Sequence, residues 1–409
     1  MHSRKIAASM RRPRVSRVWL GLVATGAMVL ASCTANHELG RAGSQSGQER
    51  KRLGLIRPSA DGTHFVHVDS GARFTVWGVN YDHDPDGRLL EDYWHDEWAT
   101  VVEDFEEMAA LGANAVRIHL QLGKFMKSPE QPNTAELEQL GRLLDLARRT
   151  GLYLNLTGLA CYHKQDVPPW YDAMSEADRW AVQARFWAAV AKTCAGHPAM
   201  FCYDLMNEPI LPGDDKKETD WLAGEFGGKH FVQRITLDLA GRTRHEVARA
   251  WIDTLVSAIR KHDPHTMITV GVIPWSHVWP QAKPLFYAPE VGVNLDFACV
   301  HFYPKSGQVE KALAALAVYR VGKPLVVEEM FALECGIEEL DAFIEGSRDW
   351  VAGYFGFYWG RTIEEYAALT GEQRPSARPS PNVGWSTSAT RRLSGCGRSS
   401  PRRGRPWHR

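Results

Sequence analysis

No Cys-x-x-Cys pair occurs among the seven cysteines of this 409-residue chain, which argues against a zinc ribbon or a dithiol redox centre. No Gly-rich phosphate turn of the G-x-G-x-x-G or Walker type is present, so a nucleotide-binding doubly wound sheet has no support. The formal net charge is zero, so no global field marks a nucleic-acid partner. His and carboxylates do not recur at ligand spacing, and neither metal nor cofactor is expected. The apolar run 18–31 is shorter than the ~20 residues that cross a bilayer. Acidic residues are missing from 373–409, a stretch dense in Arg, Ser, Pro and Gly. Such a tail cannot bury a core and is expected to be disordered.

What is present begins with an address. Arg4, Lys5, Arg11, Arg12, Arg14 and Arg17 precede the apolar run, and Leu30–Cys33 reads LASC. This is the pattern of a secretory signal, and its end resembles a bacterial lipoprotein signal. A signal peptide over 1–32, acylation of Cys33 and a polar tether over 33–56 follow as expectations. The protein would then be exported, either anchored to the cell envelope by lipid or secreted. The folded part is expected over 57–372 and the basic tail over 373–409. Cys161, Cys202 and Cys299 lie in or beside apolar runs and are expected to be buried free thiols.

From residue 73 onward, β-rich runs alternate with longer amphipathic ones. Strands are expected over 74–81, 113–120, 152–160, 199–208, 266–275, 295–303, 324–330 and 354–360. Helices are expected over 97–112, 134–151, 175–196, 244–262, 309–322, 337–353 and 362–371, with Ser175 as an N-cap. Residues 210–243 form a Gly- and charge-rich insert. Eight apolar strands, nearly all followed by a helix, imply a parallel sheet closed into an α/β fold, the (β/α)8 TIM barrel, as one domain with loop insertions.

Active sites of such barrels gather at the C-terminal strand ends. Those ends hold Asn80, Arg117, His119, Asn207, Glu208, Trp275, His301, Tyr303, Glu328, Glu329 and Trp359. Two carboxylate sites from different strands, with neighbours able to set their ionisation apart, are the equipment for glycosidic bond hydrolysis. Period-2 geometry allows only one of Glu328 and Glu329 to face the barrel mouth. A kink is needed at Asn207–Glu208 if both are to serve one site. Arg117 also fits a role that only balances a buried carboxylate, and His301 and Trp359 also fit core positions.

The segments NAVRIHL, YDLMNEP, HFYP, KPLVVEEM and FYWG, in this order along the chain and each at a strand end, resemble glycoside hydrolase family 5 from about residue 73 to 371. The resemblance implies a barrel enzyme of endo-β-mannanase or cellulase type. It would cleave β-glycosidic bonds of a β-mannan or β-glucan by a retaining double displacement. It further implies Glu208 as acid/base, Glu329 as nucleophile, and Arg117, Asn207, His301, Tyr303, Trp359, Trp275 and Asn80 around the substrate. Glu328 is expected to lean toward the helices. Met330 stands where the family pattern has an aromatic, and the third strand lacks the usual Asp-x-His. Two alternatives stay open: an inactive carbohydrate-binding barrel and a glycolipid glycosidase, for which 284–293 (PLFYAPEVGV) would line an apolar groove. A monomer with a carbohydrate substrate, no nucleic acid and membrane contact only through lipid is expected.

Overall fold

The alternation in the sequence resolves into barrel strands buried almost throughout and helices with one apolar face. A computed structural model describes residues 53–360. The expected signal peptide, Cys33, the tether up to residue 52, the 362–371 helix and the 373–409 tail lie outside the described residues. The strands are β1 (Val76–Tyr81), β2 (Ala115–Gln121), β3 (Tyr153–Ala160), β4 (Met200–Asp204), β5 in two pieces (Met267–Thr269 and Gly271–Val272), β6 (Ala298–His301), β7 (Leu325–Met330) and β8 (Gly353–Gly356). The helices are α1 (Trp98–Ala110), α2 (Thr134–Thr150), α3 (Glu176–Cys194), α4 (Arg244–Arg260), α5 (Val309–Ala317) and α6 (Ile337–Ser347). Ser175 caps α3 by accepting from the Asp178 amide. Thr243 and Glu246 form a reciprocal capping box at α4.

All barrel pairings are parallel, in the order β4-β3-β2-β1-β8-β7-β6, with the two pieces of β5 pairing to β4 and to β6. The broken fifth strand therefore closes the barrel, and the expected (β/α)8 architecture is observed. At the β1–β8 seam a Cβ on Gly78 would lie 2.3 Å from the Phe355 ring. Glycine is what lets the two strands meet there.

Outward strand residues pack against the helices in the main core. Inward residues at the bottom of the barrel, among them Phe201, Phe297 and Phe355, form a second core. Three short antiparallel strands, Ile56–Pro58, Phe65–His67 and Arg73–Phe74, cover that end. Phe65 sets its ring edge-on against Phe201 and Phe297 at 5.2 Å each. Each such buried ring contributes roughly 1.5–3 kcal/mol. Leu53 and Ile56 pack there too, so ordered packing starts before residue 57. Cys161, Cys194, Cys202 and Cys299 are free and buried. Among the described residues, no helix is long and apolar enough to cross a membrane.

Several strand ends differ from expectation. β4 stops at Asp204, so Asn207 and Glu208 stand on the following loop. Trp275 opens a four-residue helix, Trp275–Val278, beyond β5. β8 stops at Gly356, leaving Phe357–Trp359 on the barrel rim.

Candidate active site

Arg117 on β2 is fully buried and gathers most of the site around its guanidinium. Nη1 donates to Glu329 Oε1 at 2.6 Å and to Asn80 Oδ1 at 2.9 Å. Nη2 donates to Asn207 Oδ1 at 2.8 Å and to Asp204 Oδ2 at 2.9 Å. Breaking such a buried ionic set by removing one partner costs about 3–5 kcal/mol, because the remaining charges are left uncompensated.

The two glutamates meet from opposite sides. Tyr303 donates to Glu329 Oε2 at 2.6 Å. His301 Nδ1 lies 2.9 Å from Glu208 Oε1 and 3.4 Å from Glu329 Oε1. The ligating atoms of Glu208, His301 and Glu329 all fall within 4.8 Å of one another. Glu208 reaches this place through a left-handed backbone conformation, φ 46°. That conformation costs about 1–3 kcal/mol for a non-glycine residue and concentrates at functional sites. It is the kink that lets Asn207 and Glu208 face one cavity. The same three side chains are of types that bind cations, but Arg117 and Tyr303 already occupy both oxygens of Glu329.

Glu328 overturns an expectation. It does not lean toward the helices but points into the barrel, fully buried beneath Glu329. It accepts from Asn155 Nδ2 at 2.5 Å, and its Oε2 stands 3.4 Å from His301 Nε2. The cause is an irregular register. Pairing shifts between Val300 and His301 and again between Val327 and Met330, so strict alternation fails within β7. Gly271 makes the room: a Cβ there would stand 2.5 Å from both Glu328 Oε2 and His301 Nε2.

Charge in this cluster follows from burial and proximity. Burial works against a charged His301, but Glu329, Glu208 and Glu328 outweigh it and raise the imidazole to about 10. Burial and Glu328 push the Asp204 carboxyl up to about 6 against Arg117. For Glu328, Arg117, His301 and the Asn155 amide overcome burial and hold the carboxyl at about 2. Burial raises Glu329, opposed by His301, Arg117 and the Tyr303 hydroxyl. His119 is driven down to about 3, by burial first and then by Arg117. Its Nδ1 sits 2.5 Å from the Tyr162 hydroxyl.

Seven of the sequence candidates therefore converge: Arg117, Asn207, Glu208, His301, Tyr303, Glu329 and Asn80, the last fully buried below the others, bonded to Arg117 and donating to the carbonyls of Glu328 and Gly356. Two do not. Trp359 is 7% exposed and turns outward to donate to Asp104 of α1 at 3.0 Å. Trp275 lies farther along, its half-exposed ring 5.3 Å from that of Trp279. Phe357, two residues earlier, is half-buried at the rim and in ring contact with Phe231 and Phe331. Asn155, Thr157 and Asp204 also belong to the site's floor, with Thr157 donating to Asp204 at 2.8 Å.

A cleft of about 1490 Å³ begins with the residues that follow Glu208, although none of the catalytic side chains lines it. Its walls include Pro209–Leu211, Val272, Ile273, Trp275, Trp279 and Leu285.

A family model described as cellulase (glycosyl hydrolase family 5) matches residues 70–334. No curated protein matches the chain. Among solved structures, an exo-β-1,4-mannosidase from an Opitutaceae bacterium is 18% identical at TM-score 0.55, covering 74% of this chain and 55% of its own. The catalytic domain of a Thermobifida fusca endoglucanase is 17% identical at TM-score 0.53, covering 84% and 97%. A β-1,4-mannanase from the sea hare Aplysia kurodai is 17% identical at TM-score 0.53, covering 74% and 92%. At these identities the likeness is one of fold.

Proposed function

Because the chain belongs to glycosyl hydrolase family 5, we propose that this glycoside hydrolase retains anomeric configuration, with Glu329 as nucleophile and Glu208 as acid/base. The carrying observation is the approach of the two carboxyl groups, whose facing oxygens lie within 4.8 Å. Retaining enzymes need carboxyls about 5–5.5 Å apart, whereas inverting ones leave room for a water at about 6.5–9.5 Å.

In the first step Glu329 Oε attacks the anomeric carbon while Glu208 gives its proton to the departing glycosidic oxygen. The C–O bond breaks and a glycosyl ester of Glu329 forms. In the second step Glu208 takes a proton from water, whose oxygen displaces Glu329 and restores both side chains. Arg117 and Tyr303 support the anionic form of Glu329. Asn207 Oδ1 is taken by Arg117 and one Nδ2 hydrogen by the Phe231 carbonyl. The second Nδ2 hydrogen remains for a sugar hydroxyl, a contact that strengthens as the ring flattens. The rim position of Phe357 suits the face of the attacked sugar better than the outward Trp359 does.

A β-1,4-mannan or a β-glucan is the substrate class that the family and the mannanase and endoglucanase folds support. A second reading, a glycoside with an apolar leaving group, is favoured by the cleft lining of Trp275, Trp279, Leu285 and Phe286. The Cys33 signal would place the enzyme on the cell envelope. The decisive experiment is NMR of the first anomer released from β-1,4-mannohexaose, cellohexaose and dodecyl β-glycosides, repeated with Glu329→Gln. A β-anomer lost in the variant is expected. An α-anomer as first product would overturn the double displacement.

A further inference from the structure

The rim of the site is walled on one side by a continuous arc of aromatic rings. It starts at Tyr162, just beyond β3, whose ring centre is 4.8 Å from that of Phe231. Phe231 is 6.2 Å from Phe357, Phe357 is 6.3 Å from Phe331, and Phe331 is 5.3 Å from Tyr303. Rings at these separations touch, so no sugar residue passes between neighbours. The arc runs from the end of β3 across β8 and β7 to β6.

The insert after β4 supplies the central piece. Its backbone is tied down along its length. The first residues after Glu208, Pro209–Ile210, pair in parallel with Gln233–Arg234. His230 donates its amide to the Tyr162 carbonyl at 2.8 Å, and Gln233 Nε2 donates to the Leu159 carbonyl at 2.9 Å. Asn207 Nδ2 grips the Phe231 carbonyl at 2.9 Å. Lys229, only 5% exposed, extends its ammonium to the loop after β1, where a Cβ on Gly87 would stand 3.6 Å from Nζ. There it bears on Asp82, whose Oδ1 is buried without a hydrogen-bond partner. His83, bonded to the other oxygen of Asp82 at 2.6 Å, stacks on Tyr358 at 3.9 Å.

On the other side of Glu208 the chain passes at once into Pro209–Leu211, which line the large cleft together with Trp275 and Trp279, while the catalytic side chains themselves do not line it. A general acid faces the leaving group, so the departing part of the substrate is directed toward this cleft and the attacked sugar lies inside the arc.

The geometry points to exo action: the 226–234 segment closes the glycone side into a one-sugar pocket, and the enzyme removes single residues from non-reducing chain ends. This rests on the glycosidase reading above and replaces the endo action implied by the family resemblance. A polymer threaded for internal cleavage needs a cleft open at both ends. Here Lys229, Asp82 and His83 close the far end with groups suited to the hydroxyls of a terminal sugar.

The test is the early product profile of the full chain on β-1,4-mannohexaose and cellohexaose, each with an 18O-labelled reducing end. Unlabelled monosaccharide and a labelled pentaose are expected first, and viscosity of the parent polymer should stay nearly constant. Phe231→Ala should let disaccharide appear among first products. Lys229→Met should raise KM for a 4-nitrophenyl β-monoglycoside roughly tenfold at similar kcat, the loss of a charged hydrogen bond. Unlabelled di- or trisaccharide as first product of the unaltered enzyme would overturn exo action while leaving the hydrolase intact. Failure to hydrolyse the hexaoses and the 4-nitrophenyl glycosides alike would overturn the glycosidase reading, and this inference with it.

Discussion

The floor of the site and its rim are built on different principles. On the floor, Arg117, Asn155, Asp204 and Glu328 come from four strands and are all fully buried. Their positions follow from hydrogen-bonded register, Asn155 and Arg117 being direct partners across β2 and β3. At the rim, Phe231, Phe331 and Phe357 stand on loops and Trp275 on a four-residue helix, half-buried or exposed, and are placed by ring contacts. A charge on the floor has no water to replace a lost partner, whereas a ring on the rim does. The floor should therefore be intolerant and fix the chemistry, and the rim should be tolerant and set what is cleaved.

Replacing Arg117 breaks the comparison most severely if it is wrong. Arg117→Ala takes from Asp204, Glu328 and Glu329 the guanidinium they share, leaving His301 as the cation among three buried carboxylates. A loss of about 3–5 kcal/mol of unfolding free energy is expected, read by urea denaturation, with activity abolished. Arg117→Lys keeps the charge but cannot span Glu329, Asn207 and Asp204 together, and should remain inactive even where it folds. A folded, active Arg117→Ala would mean that the floor is not an ionic unit at all.

The floor was legible in the sequence only where alternation held. Arg117, His301 and Tyr303 sit where period two places them, and the eight-strand rhythm predicted the barrel itself. Glu328 failed because the bulge in β7 is a register event that adjacent residues do not announce. Asp204 and Asn155 were passed over because a polar residue inside a strand body reads as an exception until its partners, distant in sequence, are known. On the rim, Phe231 lies in an insert whose Gly and charge content carries no period. Its role depends on contacts with residues 69 and 126 positions away, Tyr162 and Phe357. Trp359 was misassigned for a related reason: β8 ends at Gly356, so parity no longer governs where its ring turns.

A smaller effect separates the charge state of the floor from its packing. His301 rises from 6.5 to about 10 on folding, because Glu329, Glu208 and Glu328 outweigh burial. A base with a raised folded value stabilises fully below its unfolded value. That contribution then disappears as pH rises through about 10. Between pH 7 and 10 the melting temperature of the unaltered protein should fall more steeply than that of His301→Gln. Other groups titrating in this window are common to both proteins and cancel in the difference. Parallel slopes would show that His301 is neutral in the fold and that the three glutamates do not act on it as described.

The smallest expected effect belongs to the rim and sharpens the comparison from the other side. Trp275 is 37% exposed and touches Trp279, which is 58% exposed. Neither ring seals a core, so Trp275→Ala should change stability by no more than about 0.5 kcal/mol. Its cost should appear in binding. Losing one ring face against a sugar or an apolar leaving group is worth roughly 1 kcal/mol, about a fivefold rise in KM. The rise should be seen with hexaoses or dodecyl glycosides, which reach the cleft. It should vanish for a β-glycosyl fluoride, whose leaving group is a single atom. A KM penalty equal for long and minimal leaving groups would place Trp275 at the glycone after all, and the division of the mouth into a closed glycone side and an open leaving-group side would have to be redrawn.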